Sequence, residues 1–96
     1  MIDALQRLQQ WYLAHCNGDW EHQQGVLIDT LDNPGWRVQV DLRDTDLHGR
    51  TFEGVENHAT EDDWLVARIE DDRWCAYCGA LNLEQALVLF LDWAGS

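Results

Sequence analysis

The chain has no lysine, one proline, one methionine and three cysteines, and no apolar run in it approaches the ~20 residues that span a bilayer. That excludes an ordinary transmembrane helix. The N-terminus also lacks the basic-then-apolar layout of a secretory leader, so a cytoplasmic location is expected. An odd number of thiols argues against a disulfide framework and for a reducing compartment. Glycine runs able to cradle phosphate are missing, as are the alternating oxygen ligands and glycine of an EF-hand loop. With arginine as the only strong cation, six basic residues face eighteen carboxylates and the formal net charge is -12. Such a surface repels nucleic acid phosphates and acidic lipids, which excludes both as direct partners. It favours a monomer in isolation and a basic protein as partner.

What the chain does have is apolar surface. Apolar residues make up 46% of its 96 positions and include six tryptophans, enough to build one core without disulfide or metal. A single domain over residues 1–96 is expected, with no cofactor. Asp3 followed three residues later by Gln6 reads as a capping box opening a helix to about Cys16, with Leu5, Leu8 and Tyr12 on its apolar face and Asn17-Gly18 ending it. Gly25 to Leu31 and Trp36 to Leu42 read as strands joined at Asp32-Asn33-Pro34-Gly35. In the second, Trp36, Val38, Val40 and Leu42 alternate with Arg37, Gln39, Asp41 and Arg43, the period of a half-buried sheet. Trp64 to Glu70 and Arg73 to Cys78 form a second hairpin about Asp71-Asp72. Asn82 to Ala94 returns to helical period, with Asn82 and Gln85 repeating the capping signature. The expected fold is therefore α+β: an N-terminal helix, a four-stranded antiparallel meander, and a C-terminal helix packed on the same face. The connection from Arg43 to Asp63 is too long for a structureless link. Phe52 and Val55 are its natural anchors, and it holds five of the twelve excess negative charges.

Three constellations invite chemistry. Trp74-Cys75-Ala-Tyr-Cys78 has the spacing of a redox dithiol, yet it ends a strand, where side chains three apart point to opposite faces. Zinc held by Cys75 and Cys78 would need further ligands from His15, Cys16 or His22, and no second pair at ligand spacing exists. Asp19-Trp20-Glu21-His22 groups two carboxylates and an imidazole, but lacks the nucleophile or oxyanion site that catalysis needs. Its simplest role is to fix the junction between helix and sheet. The acidic turn Glu61-Asp62-Asp63-Trp64 leaves a charged surface bordered by an aromatic ring, as protein-recognition surfaces often are.

The stretch from Trp11 to Leu42, with its cores GDWEH and TLDNPGW, resembles the immunity protein 53 family of bacterial polymorphic toxin systems. EDDWL at Glu61 to Leu65 and NLEQALVLFLDW at Asn82 to Trp93 are similar as well, so the likeness covers most of the chain. It implies an immunity protein, or antitoxin, that binds a cognate toxin and blocks it without catalysis of its own. A nuclease with a basic cleft would suit the charge. The resemblance supplies no catalytic residues, and Cys75/Cys78 lie outside its pattern. A small zinc or thiol protein built on that pair is the alternative. For the toxin surface the expected residues are Asp62, Asp63, Glu53 and Glu56, which would steer association, with Trp20, Glu21, His22 and Asp32 as contacts.

Overall fold

The computed structural model describes residues 3–95. Its elements run α1 (Ala4–His15), α2 (Trp20–Gln23), β1 (Val26–Leu31), β2 (Gly35–Asp41), β3 (Val55–His58), β4 (Trp64–Glu70), β5 (Arg73–Cys78) and α3 (Leu83–Ala94). The class is α+β, with a helix at each end of an antiparallel sheet, as the periodicities predict.

Helix α1 begins where Asp3 accepts a hydrogen bond from the Gln6 backbone N–H at 2.8 Å, satisfying one of the donors that the first turn leaves orphaned. Its buried face shares only Leu8 with the expected one. Ala4, Leu8 and Trp11 turn inward, whereas Leu5 and Tyr12 are 57% and 38% exposed. Burying the Trp11 indole removes far more apolar surface from water than burying Leu5 would, and that rotates the helix. A sharp junction follows. Gly18 takes φ +95°, and the Asn17 side chain accepts from the N–H groups of Asp19 and Trp20, starting the single turn of α2.

The sheet has five strands in the order β1-β2-β5-β4-β3, every neighbour antiparallel. This corrects the four-stranded meander in two respects. A further strand, β3, forms inside the Arg43–Asp63 connection, and β2 lies beside β5 instead of the next strand of the second hairpin. Composition explains both. β5 carries no carboxylate and buries Trp74, Cys75, Ala76 and Cys78, so it belongs at the centre. β3, with Glu56, Asn57 and His58 exposed, belongs at an edge. The register aligns Val38, Ala76, Ala67 and Val55 in one row across the sheet and Val40, Trp74 and Ile69 in another, and both rows join the core.

The segment between β2 and β3 is anchored. Leu42 and Leu47 are buried, with Thr45 Oγ1 donating to the Leu42 carbonyl and accepting from Leu47 N–H. Phe52 packs edge-on against Trp74 and Trp93 at 5.9 and 5.4 Å. Phe52 is thus one of the two expected anchors, Val55 opens β3, and Leu47 is the buried plug that the sequence reading missed.

Helix α3 lays Ala86, Leu87, Phe90 and Leu91 over β2 and β5, and α1 packs beside it. Phe90 joins the layers: its ring lies 5.1 Å from Trp11 of α1 and 5.2 Å from Trp74 of β5. Among the described residues no helix covers the opposite face of the sheet. On that face Arg37 pairs with Asp29, Arg68 with Glu70, and Arg43 and Arg73 with the buried Asp41, while Glu56 on β3 lies beside His58. Burial pushes the Asp41 carboxyl up, but hydrogen bonds from the Arg43 side chain and backbone, with the charges of Arg43 and Arg73, outweigh it and hold Asp41 below the usual range.

Candidate functional site

An antiparallel sheet with this order brings the β1–β2 turn, the β3–β4 turn and the β5–α3 connection to one end. Hydrogen bonds bind them together. Trp36 Nε1 donates to the Ala80 carbonyl at 3.0 Å, Gly79 N–H to the Trp64 carbonyl at 2.9 Å, and Asn82 Nδ2 to Asp63 Oδ1 at 3.0 Å. Asn82 was expected to cap α3, yet its side chain makes no capping bond and ties the helix start to the acidic turn instead. The turn from Ala59 to Asp63 is closed by the N–H groups of Ala59 and Thr60, both donating to the Asp63 carbonyl at 3.0 Å.

Between the two turns runs an open groove of about 530 Å³, walled by Asn33 and Pro34 on one side and by His58, Thr60, Glu61, Asp62 and Trp64 on the other. The His58 ring lies parallel to the Trp64 indole, 9° between planes and 6.4 Å between centroids, and its Nε2 is 3.2 Å from Glu56 Oε2. Leu81, 88% exposed, stands on the adjoining β5–α3 connection. This end therefore combines an aromatic wall, an exposed aliphatic side chain and several carboxylates. Chemically it can receive cationic and apolar side chains of another protein. The far end is acidic too, with Asp44, Asp46, Asp71 and Asp72 near His15 and His48, but Asp46 and Asp72 each face one of those imidazoles.

Of the residues expected at a partner surface, Asp32, Glu56, Asp62 and Asp63 gather at the groove end, all exposed. Glu53 is exposed too, just before β3. The other three lie at the opposite end, where α2 leads into β1. Trp20 there is only 1% exposed and packs against Trp11, Tyr12 and His15, so it offers a partner nothing directly. Glu21 accepts from the Asn17 and Gly18 N–H groups at 2.9 and 2.7 Å. Backbone hydrogen bonds, its own first, hold its carboxyl low against the opposing effect of burial, with His22 adding to the lowering. Glu21 is thus a clasp on the junction, and His22 is an exposed neighbour. His58 and Leu81 were not picked out from the sequence, and only the cross-strand pairing of His58 with Trp64 reveals the first.

Cys75 and Cys78 point to opposite faces of β5, Cys78 into the core and Cys75 among the side chains of the uncovered face. Burial, reinforced for Cys75 by Glu70, pushes both thiols up, the direction that suppresses thiolate chemistry. In the folded chain only the half-buried Cys16 should react promptly with an aromatic disulfide reagent, and the other two should follow on addition of denaturant. Prompt release from all three would show that the sheet opens. Among the described residues, no three His, Cys, Asp or Glu side chains group as metal ligands would.

Residues 5–95 match the family model of immunity protein 53. The chain belongs to that family. No curated protein and no solved structure matches it. Within the chain the segments that carry the likeness have separate roles in the fold. GDWEH builds the junction around the buried Trp20, while TLDNPGW and EDDWL, far apart in the chain, supply opposite walls of one groove. Among the described residues, no helix is long and apolar enough to cross a membrane.

Proposed function

We propose that this immunity protein neutralises its toxin by occupation, seating the acidic groove end of the sheet on a basic surface of the toxin, of which a nuclease cleft is the best-suited kind. The observation that carries the reading is the meeting of the TLDNPGW and EDDWL turns around one groove in a chain of net charge -12. Asp32, Glu56, Asp62 and Asp63 contact the toxin, Glu53 adds to the attracting field, and Trp64 with Leu81 supplies apolar anchorage. Trp20 and Glu21 hold the scaffold, and His22 lies away from the contact. A standard interface needs roughly 800 Å² from each partner, a modest part of the 6000 Å² that this chain exposes. No bond is made or broken, so protection requires one copy of the protein per toxin.

The test is kinetic. Asp62→Asn/Asp63→Asn keeps an oxygen acceptor for Asn82 while removing two charges. Association with the product of the neighbouring toxin gene should slow about tenfold at low salt, with a flatter salt dependence and little change in dissociation. An unchanged association rate at low salt would remove the steering role. Protection at substoichiometric amounts would replace occupation with catalysis.

A further inference from the structure

The acidity of this chain has a gap in it. No carboxylate occurs between Asp3 and Asp19, and the outer side of α1 presents Leu5, Gln6, Gln9, Gln10 and Leu13 instead. Among the described residues five large apolar side chains are exposed, and four of them lie on α1 or the adjacent β1: Leu5, Tyr12 and Leu13 on the helix, Leu13 72% exposed, and Leu27 on the side of the strand away from it. A shallow groove of about 230 Å³ runs between the two elements, lined by Leu8, Gln9, Tyr12 and Val26. β1 itself is an edge strand of six residues paired only with β2 among the described residues. It carries none of the usual protections of an edge: no proline, no lysine, no break in register, and its single carboxylate, Asp29, is drawn onto Arg37. The other edge, β3, is four residues long and carries Glu56.

We infer that this neutral edge of the molecule binds a second copy of the chain, β1 pairing antiparallel with β1 of its partner so that two five-stranded sheets become one. Charge chooses the occupant. A basic toxin would find no carboxylate free on α1 or β1, whereas an uncharged surface with unpaired backbone groups matches its own two-fold copy. In an antiparallel pair, opposed residues share a face of the sheet. A two-fold axis at Ile28 therefore sets Ile28 against Ile28 and Val26 against Thr30 on the helix side, with Leu27 beside Asp29 on the other. An axis at Asp29 would oppose two like charges and is disfavoured. The expectation of a monomer rests on the total charge of the chain. The carboxylates instead gather at the sheet ends, where a screening length of about 8 Å at physiological salt weakens their repulsion across the dimer.

Sedimentation equilibrium of the full chain alone tests this. The expected mass approaches twice 11.2 kDa, and self-association should tighten as salt rises, because salt screens repulsion between two anionic copies. The toxin complex should weaken under the same change, so the two readings fail separately. Leu13→Glu/Leu27→Glu should lower self-association at least tenfold, about 1.4 kcal/mol, with the thermal unfolding curve of the monomer retained. Leu81→Glu, on the groove end, should leave it intact. A parent chain that stays at 11.2 kDa across concentration and salt overturns the inference. So does a glutamate variant that still dimerises, or a monomeric parent whose toxin binding is lost in Leu13→Glu/Leu27→Glu, which would assign the edge to the toxin.

Discussion

Trp20→Ala should destabilise the fold by about 3–5 kcal/mol, the usual cost of emptying a fully buried tryptophan site. Domains of this size have about 5–15 kcal/mol of stability in total, so the variant would stand near the edge of unfolding. Trp20 is 1% exposed and fills the corner between α1, α2 and the sheet, with the rings of Trp11 and Tyr12 both 5.8 Å away. Nothing small can collapse into that corner, because the Glu21 clasp and the Asn17 side chain fix the backbone around it. Trp20→Phe should cost less, about 1–2 kcal/mol, since it keeps an aromatic ring and removes an indole N–H that has no hydrogen-bond partner among the described residues. Urea midpoints measure both. The pair also decides whether the GDWEH motif acts through folding or contact. A scaffold role requires that Trp20→Phe bind toxin as the parent does, while a contact role would show as lost binding at an unchanged midpoint.

The local pattern of the chain was readable wherever burial repeats with a regular period. β4 and β5 fall at the residues where the sequence pattern places them, β1 and β2 within one residue, and the helical period of Asn82 to Ala94 is met by α3, which buries Ala86, Leu87, Phe90 and Leu91. What failed was each choice settled by packing between distant segments. The face of α1 depends on whether Leu5 or Trp11 finds a cavity, and α3, far along the chain, provides it through Phe90. β3 has one half-buried residue, Val55, ahead of three exposed ones, so no alternation marks it, and it exists because Leu65 and Ala67 of β4 offer a free edge. Strand order was hidden for the same reason, although the absence of carboxylates from β5 was a legible sign of a central strand. The candidate site shows the limit most clearly. Both turns that wall the groove were visible as motifs, but their contact is a consequence of β5 lying between β2 and β4. Trp20, Glu21 and His22 fall at the other end because they precede β1, whereas the groove turn follows it.

Gly35 tests whether that contact is built into the backbone. A Cβ placed there would lie 2.3 Å from the Cys78 carbonyl oxygen and 3.3 Å from Cζ2 of Trp64. The first is an overlap with main chain in the central ladder, which a side-chain rotation cannot relieve. Gly35→Ala should therefore cost about 3 kcal/mol, at the upper end for overpacking, by forcing β2 and β5 apart where Trp36 faces Cys78. Gly54→Ala is the matched control, because a Cβ at that position meets only the Ala67 carbonyl oxygen, at an ordinary 3.5 Å, and its midpoint should move by less than about 0.5 kcal/mol. The same overlap bears on recognition. Trp64 rests against the glycine, so displacing β2 moves the indole, and with it the groove wall that the toxin is proposed to meet. If Gly35→Ala is rescued to parental stability by a second-site change elsewhere in the core, its toxin affinity should remain reduced. Recovery of affinity together with stability would mean that the groove end serves the fold alone.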